Sequence, residues 1–137
     1  MKRLFAGSLI ALAAVTACCA KRHPPEAYEA LASLRKVQAA TQVGVNYQQY
    51  GQLLIEAKDK TNAASRVLSD GLVKTEIRAT MDAYADAGTL WEEKIRSRND
   101  YLTIIEEPGR TLIPKYSLKT DDMNKAIQMI WLNADLH

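Results

Sequence analysis

The sequence predicts an all-α domain: a long antiparallel helical hairpin with a short third helix near its C-terminus, an arrangement like a three-helix bundle. Three observations predict it. Strong helix formers (Ala, Leu, Gln, Lys, Arg and Glu) dominate residues 26–69, and that stretch holds no proline. Apolar or small residues recur there in steps of three and four, a mean near ~3.5 that suits a helix packed lengthwise on another. A stop signal, Asp70-Gly71, then separates this stretch from a second with the same period.

In chain order, the first element is not part of the domain. Lys2 and Arg3 precede a run from Leu4 to Val15 in which only Gly7 and Ser8 interrupt apolar residues, the layout of a secretory signal peptide. The run is too short to cross a ~30 Å hydrocarbon core as a helix. It ends Val15-Thr16-Ala17-Cys18, an aliphatic residue, two small ones and cysteine. This resembles the lipobox of bacterial lipoproteins, and the resemblance covers residues 1–18 alone. It implies cleavage after residue 17 and a diacylglycerol on the Cys18 thiol. A diacylglycerol anchors firmly, since each buried methylene contributes ~0.8 kcal/mol and two chains exceed the marginal binding of one. Cys19 would put Thr16 at the aliphatic position, so it is not the modified residue and has no assigned role. Cys19 in place of the aspartate associated with inner-membrane retention further implies an outer-membrane location, facing the periplasm, in a cell with two membranes. The other reading is an ordinary secretory signal with two structural thiols.

Residues 18–25 form a tether, and 26–137 the domain. From Ala20 to Pro25 the tether spans at most ~20 Å at ~3.3–3.6 Å per residue. Its Lys21, Arg22 and His23 suit either anionic headgroups or solvent.

Pro24-Pro25 starts the first predicted helix, 26–69. Its stripe runs Leu31, Leu34, Val37, Thr41, Gly44, Tyr47, Gly51, Leu54, Ala57, Thr61, Ala64 and Leu68. A helix of that length would reach ~65 Å, so a bend is expected near Gly44 or Gly51. Gly71 is expected to take the left-handed conformation that ends a helix. The second predicted helix, 72–105, carries Val73, Ile77, Thr80, Tyr84, Ala87, Gly88, Trp91, Ile95, Arg98 and Leu102 on its inner face. Its outer face holds Lys74, Arg78, Asp82, Asp86, Glu92, Glu93 and Arg96, read as a solvated stripe, with Glu92 and Arg96 an i,i+4 pair. Residues 108–119 read as a loop. Thr120 is the expected N-cap of a last helix, 121–135, with Asp121 and Asp122 in its first turn. Met123, Ala126, Ile127, Ile130, Trp131 and Ala134 give that helix an apolar face that closes the hairpin.

Composition and motifs narrow the function more by exclusion. The chain has 18 Lys and Arg against 16 Asp and Glu; losing Lys2 and Arg3 leaves 16 of each, so no basic surface for nucleic acid is expected. His23 lies in the tether and His137 is the last residue, so no general base or His-containing metal motif falls inside the domain. No serine, phosphate loop or carboxylate set completes a catalytic site; no catalytic residue, metal or cofactor is expected. The most individual stretch is Gly44 to Gly51, GVNYQQYG. If the turn centres on Asp70-Gly71, Gly51 faces Leu90 and Trp91, Tyr50 faces Trp91, Leu54 faces Ala87, Leu68 faces Val73, and Gly44 lies near Arg98. Gly44, Tyr47, Tyr50, Gly51, Tyr84 and Trp91 are therefore the candidate cluster, for packing or for interaction. Packing is the favoured reading: Trp91 largely buried on Gly51, with Tyr47 or Tyr84 beside it, so that Gly51→Leu would overpack at ~1–3 kcal/mol. Two functions fit these residues. One is a lipid-anchored, non-catalytic scaffold or adaptor that binds another envelope component. The other is a module that holds a small apolar ligand or lipid between helices near Tyr47, Tyr84 and Trp91.

Overall fold

The computed structural model describes residues 22–96, 109–120 and 122–135. The lipobox with Cys18, the stretch with Arg98 and Leu102, Asp121 and His137 lie outside the described residues. The described elements are all helices: α1 Pro25–Val43, α2 Tyr47–Val67, α3 Leu72–Arg96, α4 Leu112–Lys115, which follows a 3-10 turn at Gly109–Thr111, and α5 Met123–Ala134.

The first predicted helix is two helices. Instead of bending near Gly44 or Gly51, the chain reverses completely between Val43 and Tyr47. Pro24 caps α1 and Pro25 sits in its first turn, where a missing N–H costs nothing. The Gly44 N–H still donates to the Ala40 carbonyl, at 3.1 Å, and then the backbone leaves the helix at φ 97, ψ 128. An L side chain rarely adopts such a φ. Two residues on, the Asn46 side chain accepts from the Gln49 N–H at 2.9 Å and caps α2.

α2 therefore runs back along α1. The ion pairs Glu29–Lys60 at 2.8 Å and Lys36–Glu56 at 2.7 Å fix the antiparallel register, though exposed pairs of this kind contribute only ~0–1 kcal/mol each. The seam beneath them is made of small side chains: Ala27, Ala30 and Ser33 from α1, Ala57, Thr61 and Ala64 from α2, all buried. The Ser33 hydroxyl donates to the Ala30 carbonyl at 2.8 Å, which satisfies it without a partner across the seam. Small faces let the two backbones come close, and Leu34 and Val37 continue the burial inward. Leu31, expected in the stripe, is 38% exposed.

The second reversal joins α2 to α3, but not through a left-handed glycine. α2 ends at Val67, Leu68 is extended at φ -75, ψ 132, and Gly44 is the one glycine with positive φ among the described residues. α3 runs antiparallel to α2 and parallel to α1. α5 lies antiparallel on α3, as Lys94 Nζ to Asn124 at 2.7 Å and the Tyr84 hydroxyl to Asp135 at 2.8 Å show. Its cap is Asp122, whose carboxylate accepts from the Lys125 N–H at 2.9 Å. Thr120, the expected cap, instead accepts from the Asp122 N–H at 3.1 Å. Met123, Ala126, Ile127, Ile130 and Ala134 are buried.

The predicted loop before α5 contains α4 and buries Leu112 and Leu118. Pro114 fits because a helix this short has no intrahelical use for its first N–H groups. Asp86 holds this segment to α3. It accepts from the Tyr116 hydroxyl at 2.7 Å and pairs with Lys115, so it is not part of a merely solvated stripe. Glu92 and Arg96 do pair on the surface, at 3.4 Å.

The two turns respond oppositely to the same substitution. Gly44→Ala forces an L residue into an unfavourable backbone region and is expected to lower unfolding free energy by about 1–3 kcal/mol. Gly71→Ala meets no atom within 4 Å and no positive φ; it is expected to raise stability by roughly 0.4–1 kcal/mol. Urea titration of the two variants against wild type checks both signs.

Candidate functional site

Four aromatic rings from three helices meet in the half of the bundle away from the tether. Tyr47 and Tyr50, in the first turn of α2, follow directly from the Asn46 cap. Trp91 comes from α3 and Trp131 from α5. Ring centroids lie 5.8 Å apart for Tyr47–Trp91, 5.5 Å for Tyr50–Trp91, 5.5 Å for Tyr50–Trp131 and 5.6 Å for Trp91–Trp131, all tilted or edge-on. These are favourable quadrupole geometries, worth ~0.5–1.5 kcal/mol per pair beyond area burial.

Tyr50 is the centre. Its side chain is fully buried, and its hydroxyl has two partners. It donates to the Tyr84 carbonyl of α3 at 2.8 Å and accepts from the Trp131 indole N–H of α5 at 2.9 Å. Tyr84 is buried as well, and its own hydroxyl donates to the Asp135 carboxylate just past α5. Burial pushes the Tyr50 phenol above its ordinary pKa of 10.0 despite the indole hydrogen bond. Tyr84 is pushed up by burial first and then by the Asp135 carboxylate that it serves as donor. Both phenols stay neutral donors across physiological pH. Each phenol donates to an acceptor on another part of the chain, the Tyr50 hydroxyl to the Tyr84 carbonyl and the Tyr84 hydroxyl to Asp135, and so ties helices together.

The glycines have other roles than the sequence suggested. A Cβ on Gly51 would meet no atom within 4 Å, so Trp91 does not pack on Gly51 and is only half-buried. The glycine that admits a neighbour is Gly88, outside the candidate cluster: a Cβ there would come within 2.9 Å of Leu54 Cδ1 and 3.5 Å of Tyr50 Cε1. Gly44 is a turn residue, exposed and far from any seam contact. Of the six candidates, the structure groups Tyr47, Tyr50 and Trp91, links Tyr84 to them through one hydrogen bond, and leaves Gly44 apart. Trp131 joins the cluster without having been among them; its place on the apolar face of the last helix was the available signal.

Gly51 instead opens a groove. Between α2 and α3, an indentation of about 250 Å³ is floored by Gly51, Ala85 and Gly88 and walled by Tyr47, Leu54, Ile55 and Met81, with Lys58 and Glu92 at its rim. Ile55 is 73% exposed beside it. A larger groove of about 370 Å³ runs between α1 and α3, lined by Leu31, Leu34, Val73, Ile77 and Tyr84 with Arg35 at the edge. Among the described residues no group of three His, Cys, Asp or Glu is placed to hold a metal ion, and no helix is long and apolar enough to cross a membrane. Comparison with protein families, curated proteins and solved structures finds no match to the chain.

Tyr50→Phe removes the hydroxyl and leaves an indole N–H and a carbonyl without their partner, at an expected cost of about 1–3 kcal/mol. Because the folded-state values of Tyr50 and Tyr84 lie above 10.0, the unfolded chain releases these protons first as pH rises. The stabilisation is complete below pH ~10 and declines above it; Tyr50→Phe should flatten that decline in pH-resolved denaturation. Gly88→Leu should overpack Leu54 and cost about 1–3 kcal/mol. Gly51→Leu should instead leave the denaturation midpoint unchanged or raised by up to ~1 kcal/mol, since it replaces a helix-interior glycine over open space.

Proposed function

We propose that this chain is a lipid-anchored, non-catalytic adaptor of the cell envelope, held to a membrane by a lipid on Cys18 and binding another envelope protein through the groove between α2 and α3. The lipobox at Val15-Thr16-Ala17-Cys18 supports the anchor. Gly51 carries the adaptor reading. A helix-interior glycine costs up to ~1 kcal/mol relative to alanine, and among the described residues no atom lies within 4 Å of where its Cβ would stand. The groove has an apolar floor, exposed Ile55 on one wall and opposite charges at its rim, Lys58 and Glu92. That suits one or two apolar side chains of a partner helix, flanked by polar contacts. The aromatic cluster behind it is cross-linked by Tyr50 and gives the groove a rigid back.

A second reading has its own observation. The groove between α1 and α3 falls in the volume range of small-ligand sites, and its walls are mostly aliphatic. A lipid or other small apolar ligand there would be found by native mass spectrometry of the purified protein.

A photoreactive side chain at Ile55, in cells, tests the adaptor. It should yield an adduct with one discrete envelope protein, and Gly51→Leu should abolish that adduct while the lipid mass at Cys18 is retained. Absence of an adduct, or one indifferent to Gly51→Leu, counts against the groove. Cys18→Ser should accumulate unprocessed precursor by intact mass, and Cys19→Ser should not.

A further inference from the structure

We propose that the end of the bundle formed by the start of α1 and the α2–α3 turn docks into the surface of a lipid bilayer, with Tyr28, Leu31, Val67 and Leu72 as the contacting side chains. This inference rests on the reading of Cys18 as the lipid anchor.

The register of the helices brings these residues to one end. Glu29 pairs with Lys60 and Lys36 with Glu56, so the first turn of α1 lies beside the last turn of α2. Leu31 and Leu72 line the same groove between parallel α1 and α3. Tyr28 is one turn before Leu31 on α1, and Val67 is the last residue of α2. All four are accessible: Tyr28 56%, Leu31 38%, Val67 50% and Leu72 74%. Among the described residues the other large exposed apolar side chains, Val43, Ile55, Ile95 and Leu132, lie elsewhere on four different helices.

What covers this end follows from where the chain enters. Pro24 caps α1 here. Five residues separate it from Cys18, so the connection spans at most ~20 Å of extended chain. A lipid on Cys18 keeps this end within about 20 Å of the bilayer, a limit that the far end of α1 does not share. The charges agree. Arg22 and Arg66 are exposed and suit anionic headgroups. Asp70 is tied to Lys74 at 2.9 Å and Glu29 to Lys60 at 2.8 Å, so these acids arrive as neutral pairs. Glu26 sits in the first turn of α1, where the helix end compensates it. An aromatic, three aliphatic residues and flanking arginines are the composition that seats at a membrane interface.

The test uses the full, lipidated protein reconstituted in vesicles of phosphatidylethanolamine and phosphatidylglycerol. On a Cys19→Ser background, Leu72→Cys, Val67→Cys and Val43→Cys are each spin-labelled, with intact mass reporting the lipid and circular dichroism the fold. At 67 and 72, collisions with oxygen are expected to exceed those with a water-soluble nickel chelate; at 43, which is 87% exposed at the opposite end of α1, the ratio is expected to invert. Lipidated protein whose three labels are all equally open to the nickel chelate overturns the docking and leaves the anchor standing. Labels at 67 and 72 shielded from both reagents overturn it in favour of a protein partner or a second copy. A mass without lipid overturns the anchor, and the docking with it.

Discussion

One phenol oxygen ties the upper half of this domain together. The Tyr50 hydroxyl is the point at which α2, α3 and α5 are bonded to one another, through the Tyr84 carbonyl and the Trp131 indole. A buried hydroxyl with no partner would be costly, and Tyr50 meets that demand with an acceptor on α3 and a donor on α5. That requirement sets the rotation of α5 about its axis, because Trp131 has to present its N–H inward. It also sets the height of α2 against α3. The Asn46 cap places Tyr50 in the first turn of α2, so the cap and the aromatic cluster act as one device.

The two seams of α2 differ because of what faces them. Toward α1 it offers Ala57, Thr61 and Ala64 to Ala27, Ala30 and Ser33, and the backbones close on each other. Toward α3 it offers Tyr50 and Leu54, which reach Gly88 and hold the helices apart at that level. The open indentation at Gly51 is the remainder: large residues on either side prop the seam, and the glycine between them fills none of it. A surface feature thus arises from core packing one turn away.

The helical class, the division near residue 70 and the inner face of the last helix were legible because each rests on local signals, namely period, breakers and amphipathicity. The reversal at Gly44 was not. The three-residue loop from Gly44 to Asn46 keeps the apolar stripe in phase, so Thr41, Gly44 and Tyr47 read as one continuous face. The evidence of a break lay in chemistry and not in period: a glycine able to leave the helix, then an asparagine able to start another. The pairing of helices was read only approximately for a similar reason. Counting outward from Asp70-Gly71 assumes a symmetric turn centred there, but α2 stops at Val67 and Leu68 is extended. Leu54 comes up against Gly88, one residue beyond the Ala87 that the count gives, and one residue on a helix is a rotation of ~100°. That rotation separates a glycine inside the seam from one outside it. Tyr47, Tyr50 and Trp91 survive it because long aromatic side chains tolerate such an error. Trp131 could not be placed from sequence, since nothing local says which side of the hairpin a detached C-terminal helix will choose.

Both tryptophans of the chain stand in this one cluster, 5.6 Å apart and against the same tyrosine. All of the indole emission of the protein therefore originates beside the groove at Gly51 and from nowhere else. The unmodified chain thus carries a built-in optical probe of the aromatic cluster, and a change in the surroundings of those four rings can be followed without attaching a dye.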